Sequence, residues 1–240
     1  MPSNASEWDE KHQLAAAKDA VEAPAGVLGE LLPLLPVGAA LDLACGTGRN
    51  ALYLAGRGYQ VSAVDWSSAA LDILEARAKG QAIPVCRVKE IRDRKRSGRP
   101  GIELLQADLE KLALPTNCFR LILCIRYLQR SLFPQICGTL RPGGMLLFET
   151  YTEAQLDFPG GPRDARYLLR VGELRSAFPG LTVLFYRELR AGQGIATLLA
   201  RKRTNGGSRP AQESVPGPTT KKSGSSAAAL HRRKGKSCFA

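Results

Sequence analysis

Short apolar segments alternate along the chain with amphipathic segments and with turns rich in glycine and proline. The pattern predicts helices at about 7–21 and 24–35, followed by strands and helices in alternation as far as residue 140, which is typical of a doubly wound α/β fold. Seven strands are predicted, and the last four are 117–126, 140–150, 181–189 and 194–201. Only a turn at 191–194 separates the last two strands, so we expect a hairpin and an antiparallel final strand in a mostly parallel sheet.

One unit of this pattern indicates a ligand-binding site. Residues 41–65 read LDLACGTGRNALYLAGRGYQVSAVD. Gly46 and Gly48 fall where the backbone bends sharply and approaches a ligand, and a helix that begins at Arg49 points its first amides toward that ligand. Asp65 ends the second strand beside this turn, where it can accept hydrogen bonds from both hydroxyls of a ribose. The unit therefore predicts a pocket for a nucleoside cofactor.

The spacing of the small residues distinguishes between two kinds of cofactor. A dinucleotide site needs G-x-G-x-x-G, whereas here Ala44, Gly46 and Gly48 occupy every second position. This alternation resembles the D-x-G-x-G-x-G motif of class I S-adenosylmethionine-dependent methyltransferases, with Ala44 in place of the first glycine. The added methyl group is acceptable unless the backbone there has a positive φ.

The resemblance extends over roughly residues 7–203 and implies a Rossmann-like fold with S-adenosyl-L-methionine as the cofactor. Asp108 resembles the acid that accepts the adenine amino group, and residues 142–144 resemble the Pro-Gly-Gly turn before the fifth strand. The turn-helix G-R-N-x-x-Y-L-A is most similar to the tellurite-resistance methyltransferases. The cofactor-binding residues implied are Asp42, Ala44, Cys45, Gly46, Gly48, Asp65, Trp66, Asp108 and Leu109. For Asp42 and Asp65, capping of strand ends is the structural alternative.

Residues for the methyl acceptor should come from the loops after the fourth and fifth strands and from the N-terminal helix. The candidates are Arg126, Tyr127, Glu149, Tyr151, Arg163, Arg166 and Tyr167. An ion pair between Arg126 and Glu149 is the alternative to substrate contact. Trp8 is either a lid over the cofactor or part of ordinary helix packing. No catalytic general base is identifiable.

The net charge of +12 suggests a nucleic-acid partner, but its distribution weakens that interpretation. Residues 87–99 carry +5 and residues 204–240 carry +6, which leaves +1 for the rest of the chain. We therefore predict an N-terminal helical lid at 1–36, a methyltransferase domain at 37–203 with a basic insertion at about 87–100, and a disordered basic tail at 204–240. Nucleic-acid binding is allowed but not favoured.

Other features restrict the compartment and the chemistry. The six cysteines form no C-x-x-C pair, and the two histidines lie in the terminal segments, so we expect no metal site. No apolar run is long enough for a membrane span, and no secretory signal is visible. We expect a cytoplasmic protein, and the sequence leaves its oligomeric state open.

The leading hypothesis is transfer of a methyl group from S-adenosylmethionine to a small-molecule nucleophile: a thiol, a metalloid oxyanion, an amine or an oxygen. The fourth strand reads CIRYLQ and lacks the Asn or Asp, Pro, Pro, aromatic motif of enzymes that methylate nucleobase amines. Two alternatives remain at this point. One is an RNA or protein methyltransferase recruited by its basic segments, and the other is a non-catalytic S-adenosylmethionine-binding protein.

Overall fold

The computed structural model describes residues 5–16, 23–91 and 100–204, which lie in one compact unit. The strands are β1 Ala39–Leu43, β2 Gln60–Asp65, β3 Val85–Arg87, β4 Gly101–Gln106, β5 Phe119–Ile125, β6 Leu140–Tyr151, β7 Leu181–Arg190 and β8 Gly194–Lys202. The α-helices are α1 Ala5–Ala16, α2 Gly26–Leu31, α3 Arg49–Ala55, α4 Ser68–Gly80, α5 Phe133–Thr139 and α6 Glu173–Ser176. Short 3-10 helices occur at Leu32–Leu34, Arg130–Leu132, Glu153–Asp157 and Ala165–Tyr167.

The strands form one sheet in the order β3-β4-β2-β1-β5-β6-β8-β7. Neighbouring strands from β3 to β6 pair in parallel, and β8 runs antiparallel to both β6 and β7. This confirms the doubly wound α/β fold and the closing hairpin. The predicted number of seven strands is wrong for the described residues, which form eight.

The additional strand, β3, pairs with β4 at the edge of the sheet. It has only three residues and two of them are exposed, so it leaves no apolar run in the sequence. Arg87, predicted to begin the basic insertion, ends this strand and forms ion pairs with Asp72 and Glu75 of α4. Of the predicted insertion, residues 92–99 lie outside the described residues, as does the predicted tail from residue 205 onward.

Both faces of the sheet are covered, which explains why its central strands read as continuous apolar runs. All five residues of β1 are buried. On one face, α2, α3 and α4 contribute Leu28, Leu54 and Leu74 to the core. On the other face, the side chains of α5, α6 and β6 pack together. Because the parallel strands share one direction, the turns after β1, β2, β4, β5 and β6 meet at one edge.

The turn after β1 has an unusual backbone. Ala44, Gly46 and Gly48 all have positive φ values, of 54°, 55° and 82°. At Gly48 a Cβ atom would lie 2.1 Å from Leu74 Cδ1, so only glycine fits there. Alanine is poorly tolerated at position 44, because the left-handed conformation costs a non-glycine residue roughly 1–2 kcal/mol. The backbone at Ala44 is therefore strained, because its φ is positive and its side chain is not that of glycine.

Replacing Ala44 by glycine should raise the free energy of unfolding by up to about 1 kcal/mol. Glycine removes the left-handed strain, while its greater freedom in the unfolded chain offsets about 0.5–1 kcal/mol of that gain. Urea denaturation of the purified protein measures the difference. The contrasting variant is Gly48→Ala, which should lose about 2 kcal/mol or more because its Cβ overlaps Leu74. A loss of stability in Ala44→Gly would contradict the assignment of strain.

Candidate functional site

Asp65 braces the glycine-rich turn. Its Oδ2 accepts a hydrogen bond from the Gly46 amide at 2.7 Å, and its Oδ1 accepts one from the Ser67 amide at 2.9 Å. The carboxylate is thus shared by the turn after β1 and the turn after β2. Each oxygen keeps further acceptor capacity, so the brace is compatible with the ribose contact that we predicted for Asp65. Sequence patterns indicated the ribose contact and gave no sign of the brace.

Asp42 is a buried acid with an unpaired oxygen. Its residue exposure is 1%, and Oδ2 has no hydrogen-bond partner among the described residues. Burial, and then the nearby charge of Asp65, raises the pKa of Asp42 to about 7, although Arg49 and the Ala51 amide oppose the shift. A buried carboxylate of this kind requires a donor or a cation. Asp42 therefore fits a ligand ammonium group.

Asp108 lies two residues beyond the end of β4 rather than at its last position. Its Oδ1 accepts the Glu110 amide at 2.9 Å and its Oδ2 pairs with Lys111 at 3.0 Å, and these contacts lower its pKa. Leu109 beside it is buried, and the Trp66 side chain after β2 is exposed. Two apolar groups and an acid thus lie at the ends of the neighbouring strands β2 and β4, as a bound adenine requires.

The N-terminal helix α1 reaches the glycine-rich turn through residues that the sequence did not reveal. Asp9 accepts hydrogen bonds from the Ser67 hydroxyl at 2.5 Å and the Ala69 amide at 3.1 Å, so α1 is fastened to the start of α4. His12 is the nearest residue to the site of a Cβ on Gly46, at 3.4 Å. Trp8, for which a lid and ordinary helix packing were both considered, stacks on His12. No periodicity or motif distinguishes Asp9 and His12.

A second polar cluster lies at the ends of β5 and β6. The Arg126 Nη2 donates to Gln193 Oε1 at 2.9 Å, its Nε lies 3.9 Å from Glu149 Oε1, and its guanidinium lies 4.5 Å from the Tyr151 ring centre. Glu149 is 8% exposed and its Oε2 accepts a hydrogen bond from the Thr197 hydroxyl at 2.8 Å. The predicted pairing of Arg126 with Glu149 is present at long range.

Other acceptor candidates lie elsewhere. Tyr127 turns toward Gln129, to which its hydroxyl donates, and burial raises the pKa of Tyr127. Arg163 donates to the carbonyls of Leu156 and Phe158, so it stabilises its own loop.

Near Arg163, Arg166 is exposed, pairs with Asp164 and stacks against Tyr167. The structure brings together Arg126, Glu149 and Tyr151, and adds Gln193 and Thr197, which the sequence did not indicate.

Beside this cluster, the loop after β6 is held in place by side chains that bind backbone groups. Gln155 accepts a hydrogen bond from the Gly194 amide at 3.0 Å and donates to the Gly160 carbonyl at 3.1 Å. Arg130 donates to the Leu168 carbonyl at 2.9 Å. The contact with Gly194 connects the loop after β6 with the β7–β8 hairpin, and the contact of Arg130 connects the same loop with the segment after β5.

The described part of the chain holds neither a metal-binding cluster nor a membrane-spanning helix. No group of three or more His, Cys, Asp or Glu side chains there is arranged to hold a metal ion. Within the same residues, no helix has the length and apolar character needed to cross a membrane.

Comparison with known proteins agrees with the residue geometry. Residues 41–148 match the family described as Methyltransferase domain. Trans-aconitate 2-methyltransferase of Deinococcus radiodurans is 28% identical over 207 residues, which are 80% of this chain and 70% of that protein.

Solved structures share the fold. TehB from Haemophilus influenzae superposes with a TM-score of 0.58 at 20% identity, over 75% of this chain and 62% of that one. An S-adenosylmethionine-dependent methyltransferase from Mesorhizobium loti superposes with a TM-score of 0.55 at 22% identity, over 74% of this chain and 98% of that one. The matched family, the curated relative and the shared fold lead to one assignment. Residues 41–148 are similar to methyltransferase domains, the fold is shared with S-adenosylmethionine-dependent methyltransferases, and these likenesses imply S-adenosyl-L-methionine as the cofactor.

Proposed function

We propose that this enzyme transfers a methyl group to a small-molecule nucleophile by in-line displacement. The observation that carries the proposal is the separation of two polar systems on neighbouring strands. Asp42 and the glycine-rich turn lie on β1, and the Arg126 cluster follows β5, with Leu43 paired to Cys124 in the parallel register. A methyl donor on the first system and an acceptor on the second would meet at one sheet edge. The relative's printed name, trans-aconitate 2-methyltransferase, supports a small acceptor.

The residues on the β1 side fit the cofactor. We assign the unpaired Oδ2 of Asp42 to the ammonium of the methionine portion, and the backbone of residues 44–48 to its carboxylate end. Asp65 would hold the ribose with its remaining lone pairs, and Asp108 with Leu109 and Trp66 would hold the adenine. Cys45 lies within the turn, where burial raises the pKa of its thiol, so its contribution is backbone and packing.

The chemistry asked of the protein is mainly orientation and exclusion of water. When bound, the cofactor supplies an electrophilic methyl group on a sulfonium centre. The residues of the Arg126 cluster would then hold the acceptor in line with that group. Soft or already ionised nucleophiles need no proton removal, so the absence of an assigned general base among the described residues is compatible with transfer.

The alternatives have less support. Recruitment of RNA or protein depends on the basic segments 87–99 and 204–240, of which residues 92–99 and 205–240 lie outside the described residues. A non-catalytic S-adenosylmethionine-binding protein would need no acceptor cluster, and measurable release of S-adenosylhomocysteine with any acceptor excludes it. A cytoplasmic location remains part of this proposal.

Calorimetry with S-adenosylhomocysteine tests the cofactor assignment. We expect the wild-type protein to bind it and Asp42→Asn to bind it about 10- to 100-fold more weakly, because a charge-assisted hydrogen bond to the ammonium is lost. The matched control is Asp72→Asn on α4, which removes an exposed carboxylate and should leave the affinity unchanged. Equal affinity of wild type and Asp42→Asn would refute the role of Asp42.

The affinity for S-adenosylhomocysteine should also depend on pH. Because the pKa of Asp42 is raised to about 7 in the free protein, the carboxylate is mostly protonated at pH 6 and mostly ionised at pH 8. An ammonium ligand needs the ionised form, so affinity should fall about tenfold from pH 8 to pH 6, with proton release on binding at the lower pH.

The control for this titration is the same measurement on Asp42→Asn. Its affinity should change little over the range, which separates the titration of Asp42 from that of other groups in the protein or the ligand. A pH-independent affinity in the wild-type protein would argue against the buried, ligand-facing carboxylate.

A further inference from the structure

Arg126 occupies a strained position at the centre of the sheet edge. It is the first residue after β5, which pairs with β1 through Cys124 and Leu43 and with β6 through Ile125 and Glu149. Its φ is +62°, a conformation that a long side chain rarely adopts, and its amide donates to the Glu149 carbonyl at 2.7 Å. Strain of this kind concentrates at functional sites. The fold therefore holds this arginine between the cofactor turn and β6.

The guanidinium of Arg126 is only partly satisfied. Nη2 has a neutral partner in Gln193, at 2.9 Å. Nε lies 3.9 Å from Glu149, beyond hydrogen-bond distance, and the other Glu149 oxygen is bound by Thr197. Nη1 is buried and has no hydrogen-bond partner in the described part of the chain. Buried arginine donors are normally paired, so the unpaired Nη1 is unusual and needs a hydrogen-bond acceptor.

The surroundings fix the orientation of this unused donor. Tyr151 lies against the guanidinium, with 4.5 Å from its ring centre to Cζ, and Gln193 holds one end of the planar group. Glu149 approaches the guanidinium only with Oε1, at 3.9 Å from Nε, and its Oε2 accepts the Thr197 hydroxyl, so no bidentate pairing is formed. Gln193 and Tyr151 thus restrict the plane of the guanidinium, and its buried Nη1 keeps N–H donors that have no partner among the described residues.

We propose that the methyl acceptor carries a carboxylate that binds Nη1 of Arg126, which makes Arg126 a specificity-determining residue. This inference rests on the proposed small-molecule methyl transfer and narrows its substrate class. A carboxylate matches the donor geometry of arginine and adds a negative charge beside a guanidinium that has one distant counter-ion. Arg126 acts by binding, and the nucleophile is either that carboxylate or another group of the same molecule.

The test uses the full chain saturated with S-adenosylhomocysteine. Malonate, succinate and citrate are titrated calorimetrically, with malonamide and succinamide as neutral counterparts of the first two. The variants are Arg126→Asn, which accepts a positive φ readily, and Arg126→Lys, which keeps the charge without the planar fork. Arg57→Gln removes an exposed arginine on the turn after α3 and is the matched control.

We expect a carboxylate to bind the wild-type complex and its amide to bind much more weakly. Arg126→Asn should weaken carboxylate binding about tenfold or more. The carboxylate affinity of Arg126→Lys should lie between those of Arg126→Asn and the wild-type protein. Arg57→Gln should bind carboxylates as well as the wild-type protein does. Every variant should keep the wild-type affinity for S-adenosylhomocysteine. In an assay of S-adenosylhomocysteine release with a carboxylate acceptor, the loss in Arg126→Asn should appear mainly in KM.

Several outcomes overturn the proposal: amides that bind as well as acids, carboxylate binding that is indifferent to Arg126→Asn, or no binding by any of the carboxylates. In each of these cases S-adenosylhomocysteine still binds, so the proposed methyl transfer survives. If the wild-type protein fails to bind S-adenosylhomocysteine at all, the proposed function fails instead. The two failures are therefore distinguishable by the order of the titrations.

Discussion

The sharing of one carboxylate between two turns underlies the geometry of this enzyme. Asp65 accepts the amides of Gly46 and Ser67, so the ends of β1 and β2 are held at a fixed separation. Ser67 also caps α4 and donates to Asp9 of α1, which carries the restraint to the N-terminal helix. Charge-assisted hydrogen bonds to backbone amides are strong when buried. One acid thus fixes the turn, the start of α4 and the helix that covers them.

The sheet edge separates charges of opposite sign. The β1 and β2 side presents Asp42 and Asp65, while the β5 side presents Arg126 with Glu149 at a longer distance. A cationic donor and an anionic acceptor would each meet the complementary field, and a low dielectric strengthens both interactions. If the acceptor is anionic as proposed, this arrangement would favour each reactant by its charge on its own side of the edge.

Much of this site could be predicted from the sequence, because glycine spacing and strand-end acids are local patterns. The fold follows from residues close in sequence. The approach of Arg126 to Glu149, which was one of two alternatives for these residues, follows from their positions at equivalent strand ends. The edge strand Val85–Arg87 could not be predicted, since three mostly exposed residues carry no hydrophobic signal. Gln193 and His12 reach the site from distant elements, and the positive φ of Ala44 depends on the folded turn.

The contact between Arg126 and Gln193 has a consequence for how such enzymes diversify. Gln193 belongs to the short turn of the β7–β8 hairpin, and the next residue, Gly194, is tied to Gln155. Hairpin turns accept changes of length and residue type with little effect on the sheet. If Arg126 contacts the acceptor as proposed, substitutions at these few positions would change the acceptor side while the glycine-rich turn stays intact. New substrates can therefore be acquired without a new fold.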